Sequence, residues 1–153
     1  FRAAGGQMVL GPTVRGQIDR HGTVSATTTA TGPARPLVAD RYLLATGSLA
    51  NGGLEATYDG QIQEGVFDLP VTHLPQRADW VAPAYLAPQP YARFGLRVNA
   101  HGQPLSLEGQ PLSHNLWVCG SLLAGADRLP DASREGIALL SAYSAVQTMK
   151  ITA

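Results

Sequence analysis

The chain has 153 residues with 11 basic and 11 acidic side chains, so its formal net charge is zero and its pI is about 7.1. That balance lacks the basic excess that binds nucleic acids or anionic membrane surfaces. No apolar run in the sequence is long enough to span a bilayer, and no signal segment opens the chain. We therefore expect a globular domain that binds no nucleic acid and reaches a membrane only through a partner.

The first residues indicate that the chain is part of a longer protein. It begins at Phe1 rather than at a methionine, and Gly5 and Gly6 lead at once into residues 7–10, which we predict to be a strand. The motif G-x-G-x-x-G, which forms the phosphate-binding turn of dinucleotide folds, occurs nowhere in the sequence. We expect the chain to be a C-terminal fragment.

The next segment predicts a β-meander that leads into a buried strand. Residues 15–19 and 23–28 flank a turn in which Gly22 supplies the positive φ of a hairpin. The glycine and prolines of residues 32–36 are predicted to break the second of these strands. The apolar residues 42–45 follow as a core strand.

Two apolar runs that stop on a glycine are the most informative feature of the sequence. Residues 42–45 end at Thr46 and Gly47, and residues 116–119 end at Gly120 and Ser121. Glycine at the end of a buried strand lets the backbone approach a ligand closely. Ligands of α/β sheets bind outside the carboxyl ends of the strands. We therefore predict an α/β (or α+β) fold that binds a nucleotide or flavin outside the carboxyl ends of its strands, although by themselves the two glycines would also fit ordinary strand-to-loop turns.

The middle of the chain is predicted to be an irregular cap on the substrate side. Seven prolines between residues 70 and 111 exclude long helices, and large aromatic residues supply apolar anchors. A short two-stranded element is expected from residues 95–99 and 103–107. The predicted organisation is thus a meander and core strand in residues 1–50, a cap in residues 51–113, and a return strand and helix in residues 114–153.

Few histidines are suited to acid–base chemistry. His21 and His101 each precede a glycine in a predicted turn, and His114 immediately precedes a predicted buried strand. His73, among the aromatic residues and prolines of the cap, is the one candidate for proton transfer.

Arg93 is the second weak candidate for a catalytic role, because Arg93 and Arg97 are close enough in sequence to converge on a phosphate. The lone Cys119 lies in an apolar run and has no metal-ligand spacing with the histidines. We predict a buried, unreactive thiol and no metal site.

The C-terminal residues predict one long helix. Asp131 or Ser133 can cap it, and apolar residues follow at helical spacing. Small residues such as Gly136 and Ala145 keep the helix slim, so we expect it to pack closely against a sheet.

Three blocks of sequence, in this order and at these distances, resemble the C-terminal part of the B subunit of anaerobic glycerol-3-phosphate dehydrogenase. The blocks are residues 45–54, 85–95 and 115–125, and the likeness covers almost the whole chain. The resemblance implies a Rossmann-like flavoprotein subunit that passes electrons from glycerol 3-phosphate toward a respiratory acceptor. It implies a flavin (FAD or FMN) and a complex with a catalytic A subunit and an iron–sulfur membrane subunit. It also implies a cytoplasmic location, peripheral to the inner membrane through those subunits.

The resemblance further implies that the start of the last helix lies against the flavin pyrimidine ring. Arg134 and Gly136 are then cofactor-binding residues, with Thr46 and Gly47 on the phosphate–ribose side and Gly120 and Ser121 on the ribityl chain. The family's glycine-rich run is reduced here to Gly136. Free N–H groups and the helix dipole still favour negative charge on a reduced flavin.

Two other functions stay open at this point. The subunit could serve as a non-catalytic interaction and electron-relay platform, or the chain could be a cofactor-free β-rich binding domain. Because the G-x-G-x-x-G turn is absent, we expect the isolated chain to retain no flavin. Exposed strand edges make a homodimer of the isolated chain a further expectation.

Overall fold

The computed structural model describes residues 2–10, 13–29, 33–126 and 134–151. Three antiparallel strands form the meander: β1 (Val14–Ile18), β2 (Val24–Thr28) and β3 (Arg35–Leu37), in the order β1-β2-β3. Gly22 adopts φ 77° in the turn between β1 and β2, which confirms the predicted hairpin. The Asp19 carboxylate closes this turn by accepting the N–H groups of His21 (2.8 Å) and Thr23 (2.9 Å).

Two details of the predicted meander are wrong. Residues 7–10 form no strand, and their apolar side chains are exposed because no described segment pairs with them. The predicted break at residues 32–36 is too long: residues 33 and 34 lie outside any strand, but β3 begins at Arg35 and includes Pro36. A proline is tolerated there because β3 is an edge strand and needs no N–H on its outer side.

A parallel pair of strands forms the centre of the fold. β4 (Tyr42–Leu44) pairs with β9 (Leu116–Val118) in the register Tyr42↔Leu116 and Leu44↔Val118. All three residues of β9 are buried, as is typical of a parallel strand covered on both faces. This parallel pair and the C-terminal helix confirm the α/β class.

The middle segment contains short strands and turns. β5 (Leu54–Ala56) pairs with β6 (Ile62–Glu64), and β7 (Val71–Thr72) pairs with β8 (Gly95–Leu96), both antiparallel. Two 3-10 turns, Arg77–Trp80 and Pro90–Arg93, lie between β7 and β8.

The predicted pairing of residues 95–99 with 103–107 is only partly correct. It is reduced to a bridge between Val98 and Pro104, closed by bonds from the Asn99 N–H to the Gln103 carbonyl (3.0 Å) and from the Leu105 N–H to the Arg97 carbonyl (2.9 Å). Gly95 and Leu96 pair with β7 instead.

One hydrophobic cluster draws on all three predicted segments of the chain. Seven of its twelve buried members belong to residues 51–113, so this segment is packed into the core. The boundaries and the role of a cap stay predictions. The buried members are Val24, Leu44, Leu54, Ile62, Leu69, Val71, Trp80, Phe94, Leu96, Leu116, Val118 and Leu122.

Asn115 fastens the meander to the parallel pair. Its side-chain oxygen accepts the N–H of Val24 (2.9 Å) and the hydroxyl of Ser113 (3.1 Å), and its carbonyl accepts the N–H of Tyr42 (2.9 Å). Because Asn115 and Val24 are both buried, this contact satisfies a backbone donor that water does not reach. It fixes the position of β4 against the hairpin.

The helix α1 (Arg134–Ile151) confirms the predicted long C-terminal helix, and the predicted caps Asp131 and Ser133 lie outside the described residues. α1 packs on β9 and on the 3-10 turn Gly120–Leu122. Its contacts come from small side chains, since Ala145 is buried and Thr148 donates to the carbonyl of His101 (2.8 Å).

The larger apolar residues of α1 lie on an exposed face. Leu139, Leu140 and Tyr143 are 71%, 72% and 66% exposed, so the periodicity identified an apolar stripe that the described residues do not cover. No helix in the described ranges is both long and apolar enough to cross a membrane.

Candidate functional site

The two glycine-ended strands open at the same edge of the parallel pair. Leu44 and Val118 are in register at the last positions of β4 and β9, and the Cys119 N–H donates to the Leu44 carbonyl (3.1 Å). The segments that follow, Thr46-Gly47 and Gly120-Ser121, therefore leave the sheet side by side. Four of the six predicted cofactor-binding residues are thus brought to one edge.

The loop after β4 folds back on itself. Gly47 has φ 97°, a 3-10 turn spans Leu49–Asn51, and the Gly53 N–H donates to the Ser48 carbonyl (3.1 Å). A Cβ atom on Gly53 would lie 2.1 Å from the Gly47 carbonyl oxygen, so only glycine allows this approach. The sequence analysis did not identify Gly53 as a site residue, although the Gly52-Gly53 doublet indicates a tight turn.

Gly120 combines positive φ with open space. Its φ is 74°, and a Cβ atom built there would meet nothing within 4 Å among the described residues. Its N–H donates to the hydroxyl of Ser141 (2.8 Å), which also donates to the Ile137 carbonyl (2.5 Å). The backbone donor of Gly120 is therefore engaged by α1, and a ligand at this position would meet the Cα face. Ser141 was missed because its contact spans 21 residues.

Arg134 is the first residue of α1, and the structure describes its backbone but not its side chain. Gly136 lies half-buried in the first turn of the helix. The bond from Gly120 to Ser141 holds α1 against the loop that follows β9 (residues 119–126, the strand-end loop) at the eighth residue of the helix, two turns after Arg134. The cofactor-binding roles of Arg134 and Gly136 stay predictions.

His73 and Arg93, the two weak catalytic candidates, line one cavity of about 260 Å³. The His73 Nδ1 lies 2.9 Å from the Leu74 carbonyl oxygen, and the ring meets Trp80 and Phe94 edge-on with centroids 6.0 Å away in each case. Arg97 does not join them, because its guanidinium donates to the carbonyls of Ser106 and Leu107, each at 2.7 Å. The structure thus pairs Arg93 with His73 rather than with Arg97.

Cys119 is buried at the end of β9, as predicted. Burial raises the pKa of the Cys119 thiol above its ordinary value, because the surroundings disfavour the charged thiolate. Among the described residues no group of three or more His, Cys, Asp or Glu side chains is arranged to hold a metal ion.

The raised pKa of Cys119 predicts a pH-dependent stability. The unfolded chain releases the thiol proton at about pH 8.5, before the folded chain does, so the free energy of unfolding should fall as pH rises past that value. Denaturant unfolding at about pH 7.5 and 9.5 should show a larger loss for the wild type than for Cys119→Ala. Equal losses in the two proteins would contradict the prediction.

Comparison with known proteins identifies the family. The sequence profile of a family described as an FAD binding domain matches residues 1–131. The chain is 41% identical over 107 residues to the B subunit of anaerobic glycerol-3-phosphate dehydrogenase from Yersinia pestis (bv. Antiqua, strain Antiqua), covering 70% of this chain and 24% of the relative. It is 37% identical over 119 residues to the protein of the same name from Vibrio cholerae (strain N16961), covering 76% of this chain and 27% of the relative.

The chain spans about a quarter of the length of these curated relatives. No solved structure gives a significant match. Because the family profile covers most of the sequence, the assignment applies to the chain as a whole rather than to one motif. The chain belongs to the FAD binding domain family.

Proposed function

We propose that this chain is the C-terminal part of a flavin-dependent glycerol-3-phosphate dehydrogenase subunit with a Rossmann-like fold. The observation that carries the proposal is the common edge at which β4 and β9 end, with Thr46-Gly47 beside Gly120-Ser121. The family description and the names of the relatives give the same class of protein.

The residues at this edge suit an FAD. In the proposal, the backbone of Thr46 and Gly47 contacts the phosphate–ribose side of the cofactor. No described atom lies within 4 Å of the Cβ position at Gly120, and in the proposal the half-buried Ser121 offers a hydroxyl to the ribityl chain. A bound flavin supplies the hydride acceptor for oxidation of an alcohol.

The start of α1 adds electrostatic support in this proposal. The first-turn N–H groups of a long helix carry partial positive charge, which favours negative charge on a reduced cofactor. Gly136 in that turn presents no side chain, and Arg134 contributes a full positive charge.

The sheet is expected to continue in the rest of the subunit. Within the described residues β4 pairs only with β9, and Leu43 of β4 is 41% exposed. A cavity of about 560 Å³ lies beside β4, with Tyr42, Phe67 and Thr46 among its lining residues. A further parallel strand carrying the G-x-G-x-x-G turn would fit against this side, and in the isolated chain a second copy could pair there instead.

The partners in this proposal are a catalytic A subunit and an iron–sulfur membrane subunit. The names of the relatives, each of which is one lettered subunit of a dehydrogenase, support an assembly of several subunits. The location is then cytoplasmic and peripheral to the inner membrane, with electrons passing toward a respiratory acceptor.

A second candidate function is electron relay without substrate chemistry. It is favoured by the scarcity of acid–base residues, since His21 and His101 are exposed turn residues. In the part of the chain that the structure describes, His73 is the one histidine found to line a cavity together with an arginine. In the relay, the A subunit would oxidise glycerol 3-phosphate, and this subunit would only transfer electrons.

Anaerobic titration of the purified full-length subunit separates the two functions. The proposed dehydrogenase should carry FAD, and glycerol 3-phosphate but not glycerol should bleach the oxidised flavin absorbance. Bleaching only after addition of the A subunit would establish the relay. A full-length subunit that purifies without flavin would contradict both, whereas the isolated chain is expected to be colourless because it lacks the phosphate-binding turn.

A further inference from the structure

Arg93 differs from Arg97 and Arg15 in having no hydrogen-bond partner for its side chain among the described residues. Its guanidinium makes no hydrogen bond or ion pair with any part of the chain that the structure describes. Arg97 donates to two carbonyls at 2.7 Å, and Arg15 donates to the Gly65 carbonyl at 2.6 Å. Those two arginines hold loops together, whereas Arg93 leaves all its donors for a ligand.

The cavity beside Arg93 has the composition of an anion site. It is lined by Thr72, His73, Leu74, Pro90, Arg93 and Phe94, and no carboxylate is among them. At about 260 Å³ it has room for a small molecule rather than a dinucleotide. Arg93, His73 and Thr72 therefore line a common space, and none of its described lining residues is acidic.

His73 is held in a defined orientation at this cavity. With Nδ1 donating to the Leu74 carbonyl (2.9 Å) and the ring fixed edge-on against Trp80 and Phe94, Nε2 is the nitrogen left for a ligand. Trp80 is itself anchored, because its Nε1 donates to the same carbonyl at 2.7 Å. The aromatic contacts already restrict the His73 ring, so little side-chain conformational entropy is lost when the ring binds a ligand.

The cavity is joined to the strand-end loop by backbone hydrogen bonds. The Arg93 carbonyl accepts the Gly125 N–H (2.9 Å), and the Leu96 carbonyl accepts the Ala124 N–H (2.9 Å). The segment that carries Arg93 therefore lies alongside the loop that begins at Gly120. An anion held by Arg93 would therefore be bound by a segment that borders this loop.

We infer that the Arg93–His73 cavity binds the dianionic phosphate of a small phosphate monoester, with Arg93 as the principal contact and His73 and Thr72 as further donors. The inference rests on the proposed function for the identity of the monoester as the substrate. Arginine suits this ligand because its planar fork donates two parallel hydrogen bonds to phosphate oxygens.

Binding of glycerol 3-phosphate, inorganic phosphate and glycerol to the full-length subunit, measured by calorimetry, tests the inference. Arg93→Gln should raise the Kd of both phosphate ligands by about tenfold or more, because it removes charge-assisted hydrogen bonds. Arg77→Gln is the matched control: Arg77 lies over the Trp80 ring, 5.8 Å from its centroid, and does not line the cavity. It should change the Kd by no more than about twofold, because Arg77 does not line the cavity and would act on a ligand there only as a solvent-screened charge.

The FAD content of each variant is measured in parallel and should not change with Arg93→Gln. Glycerol should bind far more weakly than glycerol 3-phosphate, and tighter binding of glycerol 3-phosphate than of inorganic phosphate identifies the substrate as the natural source of the anion. Equal effects of Arg93→Gln and Arg77→Gln, or none, would overturn the anion site.

The two proposals fail separately. A wild-type subunit that is reduced by glycerol 3-phosphate, with an unchanged Kd in Arg93→Gln, would refute the site and leave the dehydrogenase standing. A subunit that binds inorganic phosphate through Arg93 yet is never reduced would support the site and refute the reaction.

Discussion

Replacing Gly120 by valine in the full-length subunit is expected to empty the flavin site while lowering folding stability by only about 1–3 kcal/mol. The folding cost arises because Gly120 has φ 74°, a conformation that side chains rarely adopt. No described atom lies within 4 Å of the Cβ position, so no clash adds to that cost. The added side chain would instead occupy the space that we assign to the cofactor.

Gly109→Val is the matched control for Gly120→Val. Gly109 has φ 84° and also has nothing within 4 Å of its Cβ position, but it lies in a separate turn closed by its bond to the Ser106 carbonyl. Both variants therefore carry the same kind of strain. FAD content should fall only in Gly120→Val, whereas denaturant midpoints should fall in both. Equal FAD content in the two variants would mean that Gly120 only forms a turn.

Gly95→Ala is expected to destabilise the fold by about 3 kcal/mol. A Cβ atom there would lie 2.5 Å from the Leu122 carbonyl oxygen and 2.6 Å from the Ala124 nitrogen. Both neighbours are backbone atoms, so no side-chain rotation relieves the clash. The substitution would push β8 away from the strand-end loop. It should therefore lower the affinity of both the proposed FAD site and the Arg93 cavity.

Urea unfolding measures this effect against Gly65→Ala. A Cβ atom on Gly65 would meet nothing within 4 Å, so its substitution should change stability by less than about 0.5 kcal/mol. Similar midpoints for Gly95→Ala and Gly65→Ala would show that β8 and the loop are not in close contact.

Local patterns were enough to predict the strand ends, the hairpin and the helix. Residues 42–45 and 116–119 are apolar runs closed by glycine, and Gly22 marks a turn between β-rich segments. Each of these signals lies within about ten residues, so the sequence displays it directly. The adjacency of the two strand ends followed from a general rule for α/β sheets rather than from a particular residue.

Contacts between residues far apart in the sequence could not be predicted from these local patterns. The bond from Val24 to Asn115 spans 91 residues, and Gly95 looks like any other glycine until Leu122 and Ala124 are placed against it. The exposed apolar face of α1 also depends on long-range packing. Close approach to β9 requires small side chains such as Ala145, so the bulkier Leu140 and Tyr143 are left on the exposed face.

The central claim is that FAD lies at the common edge of β4 and β9, and hydrogen exchange of the full-length subunit with and without bound FAD tests it most directly. Residues 45–48 and 119–122 should both exchange more slowly when FAD is bound, because one ligand covers both strand ends. Residues 106–110, in the remote turn, should exchange at the same rate in both states. Saturation with FAD that leaves both strand-end segments unchanged would contradict the account.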